Sequence, residues 1–397
     1  MVRTKYLIIG GGLTADAAVT GIREVDPEGA VTVVSAESDP PYTRPWLSKG
    51  LWLGKPVEKV WRGTEAKHAD LRLGRSIVTL DPAARTAADD HGESYAYESL
   101  LMATGGRVRR LPFGGDSVIY YRTMDDYRRL RDLADRGERF VVIGGGFIGT
   151  EIAAALASNG KRVTLVFPEG NLGERVFPRA LAEFVSFYYG EKGVELLSRS
   201  SVQGVETSGS GFRVQVRGPS GEEKRIEADG VVAGIGIQAE TSLASAAGLE
   251  CENGIVVDPY LKASAPAVYA AGDVAAFQSP ALGRRVRIEH EDNALTMGKA
   301  AGRAMAGAGE PYRHLAYFYS DLFDLGYEAV GQLDPSLQVT ADWAEQYRKG
   351  VVYYAEGGYV RGVLLWNVWD KVPAARRLIQ SGRRFRAEEL KAALLEN

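Results

Sequence analysis

An α/β fold with two Rossmann-like dinucleotide-binding layers and a C-terminal α+β domain is what this 397-residue chain predicts. Three observations predict it. An apolar strand, a glycine turn and a helix open the chain at Tyr6–Ala15, and the same unit recurs at Phe140–Gly149. From Pro311 onward the chain turns aromatic-rich and alternating, as strands do.

In the first unit the spacing is G-x-G-x-x-A, with Gly10, Gly12 and Ala15 at the small positions. The first glycine permits a tight turn, the second lets backbone approach a pyrophosphate, and the alanine keeps the helix close to the strand. The helix N-terminus offers N–H donors and a partial positive charge to an anion. Glu37, just past the second strand Val31–Val34, is placed to accept from an adenosine ribose hydroxyl.

The run Pro41-Tyr42-Thr43-Arg44-Pro45-Trp46-Leu47-Ser48-Lys49 reads as a stiff loop rather than a helix start. It is either a plain surface loop or a segment running along the dinucleotide, and in the second case Arg44 and Lys49 become contacts to phosphate or to a reactive ring. Residues 71–101 alternate around turns, which fits a small antiparallel layer covering the first sheet. The strand Ser99–Met102 then ends in Ala103-Thr104-Gly105-Gly106, whose small side chains allow close approach of a ligand. Pro112–Gly115 reads as a linker.

The second unit is a full G-x-G-x-x-G, Gly144-Gly145-Gly146-Phe147-Ile148-Gly149, followed by a helix over Thr150–Ser158 and a strand over Arg162–Phe167. Glu169, 20 residues past Gly149, occupies the ribose position. No arginine stands immediately at that strand end to receive a 2′-phosphate, which favours NADH over NADPH, although Arg175 is near. Two such units suggest two dinucleotides, a resident flavin and a diffusible nicotinamide.

The second layer finishes at Gly234-Ile235-Gly236. Further on, a strand ends at Ala271-Gly272-Asp273, with a small-residue helix expected after it. Asp273 is either that helix's cap or an acceptor from ribityl or ribose hydroxyls. The run from Leu282 to Asn293 holds Arg284, Arg285, Arg287, Glu289 and His290, with His290 read as a partly buried helix residue. Pro373 and Gly382 bracket one helix in the tail, and Leu390 and Leu394 belong to a short closing helix.

Composition bounds the function. Hydrophobic content of 45% and charged content of 25% are ordinary for a globular protein, and a net charge of −3 lacks the basic footprint of a nucleic-acid binder. A lone cysteine, Cys251, excludes an internal disulfide, a CxxC redox pair and a thiolate metal cluster, and no metal is called for. No run approaches the ~18 apolar residues of a membrane span. The first strand starts by Thr4, leaving no room for a targeting peptide, so a cytoplasmic protein is expected.

Taken together, these motifs resemble the flavin-dependent pyridine-nucleotide oxidoreductases, in the branch of ferredoxin reductases, rubredoxin reductases and apoptosis-inducing factor. The loop Pro41–Lys49 resembles that branch's PYxRPxLSK, and Ala103–Gly106 and Ala271–Asp273 its ATGG and AGD elements. Phe167–Gly173, Tyr319-Ser320-Asp321, Gly326–Gly331 and Leu364–Asn367 look specifically like apoptosis-inducing factor. The resemblance covers essentially the whole chain. It departs in placing Tyr319 where the nearest family member has Trp. It also lacks the acidic insertion between Leu333 and Tyr347 and a mitochondrial leader, so dimerisation on reduction and death signalling are not carried over. No cysteine accompanies either glycine turn, which sets aside the disulfide-, mercury- and peroxide-reducing branches.

The resemblance implies a glutathione-reductase-like architecture, which the following boundaries express: an FAD domain over 1–112 and 237–310, an NAD(H) domain over 113–236 and a C-terminal domain over 311–397. FAD would lie on Gly10–Ala15, including Leu13 and Thr14, with Glu37, Arg44, Lys49, Ala103, Thr104, Gly105, Gly272 and Asp273 along it. NADH would lie on Gly144, Gly146, Phe147, Ile148 and Gly149, with Glu169 at its ribose and Gly236 beside it. Glu151 would pair with Lys49 near the reactive edge of the flavin. His290, with Glu289 before it, and Tyr319 would line the ring, and Glu328 would approach the nicotinamide. The implied catalytic set is Lys49, Glu151, His290 and Tyr319. Electrons would pass from NADH through flavin to a ferredoxin or rubredoxin, steered by Arg284, Arg285 and Arg287. The alternatives are an NADH:quinone or NADH:oxygen reductase and an NADH-responsive interaction protein. The oligomeric state, monomer or homodimer, stays open at this point.

Overall fold

The structure is a computed structural model that describes residues 1–391 and 393–395. It divides into two compact units, the first formed by Met1–Arg44, Pro56–Arg107 and Gln238–Tyr317, the second by Pro45–Lys55, Val108–Ile237 and Phe318–Asn397.

The first unit is built on a seven-stranded sheet. Five strands are parallel: Ala69–Leu73, Val31–Ser35, Val2–Ile9, Ser94–Met102 and Val268–Ala270. The register aligns their ends, with Ile9 opposite both Val34 and Met102, and Met102 opposite Ala270. Whatever follows each strand is therefore delivered to one edge of the sheet. Strands Thr86–Asp89 and Ile77–Asp81 extend the same sheet by antiparallel pairing with Ser94–Met102 and with each other. This corrects the expectation of a separate covering layer: Val2–Ile9 lines one edge of Ser94–Met102 along nearly its whole length, while on the other edge Val268–Ala270 pairs only with Leu100–Met102 and leaves Ser94–Ala96 for Thr86–Asp89.

On this sheet the helix Leu13–Arg23 packs against the helix Glu291–Met305 at very short range. A Cβ at Gly302 would stand 2.1 Å from the Ala18 carbonyl oxygen, and one at Gly298 would stand 2.4 Å from that of Thr14. Only glycine at these helix positions lets the two backbones meet. A smaller four-stranded sheet holds Cys251–Glu252, Gly254–Val256, Ala275–Ser279 and Arg284–Val286. The last two strands correct another expectation. After Gly272–Val274, a single 3₁₀ turn, the chain enters the strand Ala275–Ser279 and not a helix, because Val274, Ala275, Ala276 and Phe277 are all buried. Four consecutive buried positions suit a strand covered on both faces better than an amphipathic helix.

The second unit contains a five-stranded, all-parallel sheet in the order Val194–Leu197, Arg162–Val166, Arg139–Ile143, Gly230–Ala233, Ile119–Tyr120. The near-continuous apolar strands Phe140–Ile143 and Val163–Val166 are buried, as a sheet covered on both faces requires. An antiparallel trio, Ser201–Ser208, Gly211–Arg217 and Glu223–Ala228, accompanies it. The tail forms a five-stranded sheet in the order Tyr317–Leu322, Leu325–Gly331, Tyr359–Trp366, Lys349–Glu356, Gln338–Glu345, with the helix Val372–Gln380 carrying Pro373 in its first turn. The closing helix is shorter than expected, Ala387–Leu390, and buried Leu394 follows in a turn. Ala392, Glu396 and Asn397 lie outside the described residues. Among the described residues no helix is long and apolar enough to cross a membrane.

The loop predicted at Pro41–Lys49 contains a 3₁₀ turn, Arg44–Leu47, and runs on into a second, Gly50–Leu53. Its second half is anchored within the second unit. Tyr121 donates to the Leu47 carbonyl at 2.5 Å, Asn159 donates to the Trp52 carbonyl, and Trp52 meets the Tyr127 ring edge-on. Leu47, Leu51 and Trp52 are buried there.

Candidate functional site

In the first unit, the aligned strand ends bring four sequence-distant candidates to one sheet edge: Gly10–Ala15 after the first strand, Glu37 after the second, Ala103–Gly105 after Met102, and Gly272-Asp273 after Ala270. Gly10 sits at φ +112° with a notional Cβ 2.2 Å from the Ala103 carbonyl oxygen, so any side chain there would collide with the neighbouring strand. Gly12 is the opposite case. Its Cβ would meet nothing within 4 Å, and it is the N-cap of Leu13–Arg23 with no side-chain cap. An open approach to an uncapped helix N-terminus is what a pyrophosphate needs. The residues present thus fit the phosphates of a dinucleotide such as FAD.

Around that edge the polar groups are mutually organised. The Glu37 carboxylate accepts from Arg44 at 2.8 Å and from the Tyr42 hydroxyl at 2.7 Å, while Arg44 also donates to Tyr42 at 2.8 Å. Burial works against the Arg44 charge, but Tyr42, Glu37 and Asp273 around it outweigh that and hold it above its ordinary pKa. Tyr42 is a member of this cluster that sequence reasoning quoted without assigning; its place in the loop motif was the available signal. Thr104 donates its hydroxyl to the Glu240 carbonyl at 2.7 Å. His290 is the N-cap of Glu291–Met305, with burial pushing its pKa down to about 4 against the pull of Asp273 and Asp292, so it is neutral at pH 7.

Two arginines of the basic run before it have acidic partners. Arg285 pairs with Glu252 at 2.5 Å, and Arg287 pairs with Glu289 at 2.5 Å and donates to the Asp273 carbonyl. Glu252, from the strand Cys251–Glu252, and Glu289, two residues past Arg287, offset these charges.

The second unit repeats the turn. Gly144 lies at φ +106° against the Gly234 carbonyl, and Gly146 caps Phe147–Ser158 with open space at its Cβ and no side-chain cap. Phe147 and Ile148 are exposed apolar residues at that N-terminus, Phe147 at 39%. Glu169 pairs with the well-exposed Arg175 at 2.5 Å. The Glu328 Oε2 atom is buried with no hydrogen-bond partner, and burial, aided by Asp370, raises its carboxyl pKa. An orphaned buried acceptor together with an open glycine cradle fits a nicotinamide dinucleotide, whose carboxamide supplies donors. Gly236 sits at φ +90° with its carbonyl accepting from the Arg109 N–H.

Still within the second unit, Lys49 meets Glu151 at 2.5 Å, with side-chain exposures of 12% and 5%. The Lys49 ammonium also lies 5.2 Å from the centre of the Tyr319 ring. Two serines that sequence reasoning missed complete the group: Ser48 donates to Glu151 Oε2 and Ser320 to Oε1, each at 2.6 Å. Three of the four implied catalytic residues, Lys49, Glu151 and Tyr319, therefore gather in this unit, and His290 belongs to the first.

Residues 4–298 match the family model described as pyridine nucleotide-disulphide oxidoreductase, and residues 301–346 and 340–381 match the C-terminal domain of apoptosis-inducing factor, mitochondrion-associated. A ferredoxin–NAD(+) reductase component of an anthranilate 1,2-dioxygenase system from Burkholderia cepacia is 33% identical, over 95% of this chain and 94% of its own. A protein described as a putative mitochondrial apoptosis-inducing factor 1 from Drosophila melanogaster is 29% identical over 96% of this chain, which spans 64% of that relative's length. Among solved structures, the covalent putidaredoxin reductase–putidaredoxin complex superposes with a TM-score of 0.90 at 28% identity, covering both chains fully.

Proposed function

The chain belongs to the pyridine nucleotide-disulphide oxidoreductases, and we propose that it passes electrons from NADH to an iron–sulfur electron carrier of ferredoxin or rubredoxin type. It is an FAD-dependent NAD(P)H oxidoreductase. The observation that carries the reading is the pair of strand–glycine-turn–helix units in one chain, each with an open, uncapped helix N-terminus. In this reading residues 1–112 and 237–310 hold FAD, 113–236 hold NAD(H), 311–397 form the third domain, and the protein works in the cytoplasm. When bound, FAD accepts hydride from NADH and releases electrons singly to a one-electron acceptor.

The chain's own residues bind, orient and tune. The N–H groups of Leu13 and Thr14 would hold the FAD pyrophosphate, with Ala15 keeping the helix close to the strand, Glu37 would accept from its ribose, and Arg44 and Asp273 would lie along it. Phe147–Gly149 do the same for NADH, with Glu169 at the ribose and Glu328 taking the carboxamide donor. Hydride transfer needs no acid or base, so Lys49–Glu151 is a tuning pair: the ammonium favours negative charge on the reduced ring, and Tyr319 holds that ammonium from its ring face. His290, neutral at pH 7, adds no charge to the ring that it lines.

The test is anaerobic reduction by NADH in a stopped-flow instrument, then mixing with ferredoxin, rubredoxin, quinone and oxygen. Fast oxidation by an iron–sulfur protein is expected, and a quinone or oxygen matching its rate would refute the choice of acceptor. Lys49→Ala is expected to lower both the flavin midpoint potential and the NADH reduction rate; unchanged values would remove the tuning role. The match to the C-terminal domain of apoptosis-inducing factor favours a second reading, an NADH-responsive interaction protein. Its signature would be a reduced state that persists with NAD bound and poor turnover with every acceptor.

A further inference from the structure

We infer that Ser48 and Ser320 are positioning residues that fix the Glu151 carboxylate, and through it the Lys49 ammonium. This rests on the tuning role proposed for that pair. The geometry carries it. Glu151 is a junction of three remote segments: Ser48 and Lys49 come from the loop Pro45–Lys55, Glu151 from the helix Phe147–Ser158 and Ser320 from the strand Tyr317–Leu322. The serines lie 103 and 169 residues from Glu151 in sequence. One oxygen, Oε1, takes both Lys49 and Ser320, and the other takes Ser48.

Alone, a carboxylate turns broadly about its terminal torsion, and a single ammonium does not define its plane. Two hydroxyls on different oxygens, from different elements, define it. The Ser48 hydroxyl has an alternative acceptor, the Pro45 carbonyl, but at 3.4 Å against 2.6 Å to the carboxylate. The shorter, charge-assisted bond takes the proton. Both serines are buried, Ser320 at 1% and Ser48 at 6% exposure, so water does not replace a lost hydroxyl cheaply. A serine is also uncharged. Removing it leaves the formal charge of the site intact, so any change in flavin potential has to arrive through Glu151 and Lys49.

The experiment compares Ser48→Ala, Ser320→Ala and the hydroxyl-keeping Ser48→Thr in the FAD-loaded protein, each in wild-type and Glu151→Gln backgrounds. Ser320→Cys, similar in size and a weaker donor, stands in should Ser320→Ala not fold. NADH-driven flavin reduction and the flavin midpoint potential are measured. Thermal unfolding of the cofactor-free protein is measured alongside. Each alanine variant is expected to slow reduction roughly three- to tenfold, the net worth of one ordinary hydrogen bond because the charge itself stays in place, and to shift the potential in the same direction as E151Q. Ser48→Thr should recover most of the rate. In the E151Q background the serine changes should add little to either readout. Equal slowing with and without Glu151 would overturn the inference, as would alanine variants of wild-type rate and potential beside an impaired E151Q. K49A and E151Q both behaving as wild type would refute the tuning role itself, recognisable because serine–Glu151 coupling in the unfolding of the cofactor-free protein would persist.

Discussion

Gly302 offers a direct check on how the helix proposed to bind flavin, Leu13–Arg23, is held. Replacing it with alanine places a Cβ 2.1 Å from the Ala18 carbonyl oxygen, where ordinary contact begins near 3.4 Å. The obstacle is backbone, which does not swing aside as a side-chain tip would. The two helices must therefore separate by about 1 Å, and overpacking of this kind costs about 1–3 kcal/mol. Alanine regains about 1 kcal/mol of helix propensity. Taking the upper end of the first figure, because backbone is what must move, leaves a net loss of about 2 kcal/mol, or roughly 4–8 °C in Tm for a unit of this size. Gly190, in the helix Arg179–Glu191 with nothing near its notional Cβ, is the control. Gly190→Ala should raise stability by about 0.5–1 kcal/mol. The assay is differential scanning calorimetry of both variants, with visible flavin absorbance relative to protein after gel filtration. Since Leu13–Arg23 is the displaced helix, G302A should also retain less FAD. A G302A protein as stable as wild type, or stabilised like G190A, would refute the close-packing argument.

Other outcomes follow from the same geometry. Gly12→Asp puts a carboxylate into the open approach to the first helix at a backbone angle that aspartate tolerates; FAD incorporation should be lost while the cofactor-free protein gains a few tenths of a kcal/mol from the new cap, read by absorbance and melting temperature. Glu169→Ala leaves Arg175 without its partner and removes repulsion of a 2′-phosphate, so the ratio of kcat/KM for NADPH over NADH should rise by about tenfold in steady-state kinetics. His290 titrates near 4 in the folded protein and near 6.5 unfolded, so the unfolded chain binds the extra proton first as pH falls. Stability should drop by roughly 2–3 kcal/mol between pH 6.5 and 4 from this group, and be flat in it above 6.5. In urea titrations His290→Asn should remove that slope. The carboxyls of Asp89 and Asp229, held down to about 2, keep their contribution until lower pH.

Much of this protein was legible locally. Gly10, Gly12, Gly144 and Gly146 announce two nucleotide turns because only a residue without Cβ makes those turns or leaves that approach open, and the strands around them are apolar enough to be recognised. Glu37 and Glu169 follow by chain spacing from the same units. Sequence periodicity failed where a short segment is decided by its surroundings. Ala275–Ser279 is a strand because its first three residues are buried in succession, and Thr86–Asp89 joins the main sheet because Ser94–Met102 outlasts Val268–Ala270 on the edge they share.

What only the tertiary structure decided is which side chains meet. The Tyr42–Glu37–Arg44 cluster, the cancellation of Arg285 and Arg287 by Glu252 and Glu289, and the unpartnered Glu328 oxygen depend on where loops turn. The four-membered group around Glu151 joins segments separated by more than a hundred residues. No spacing rule connects Ser320 to Glu151, because hydrogen bonds are set by distance in space, and a strand and a helix 169 residues apart had to be folded before that distance existed. The turns were written in adjacent residues, and the geometry of the Lys49–Glu151 pair was written only in the packing.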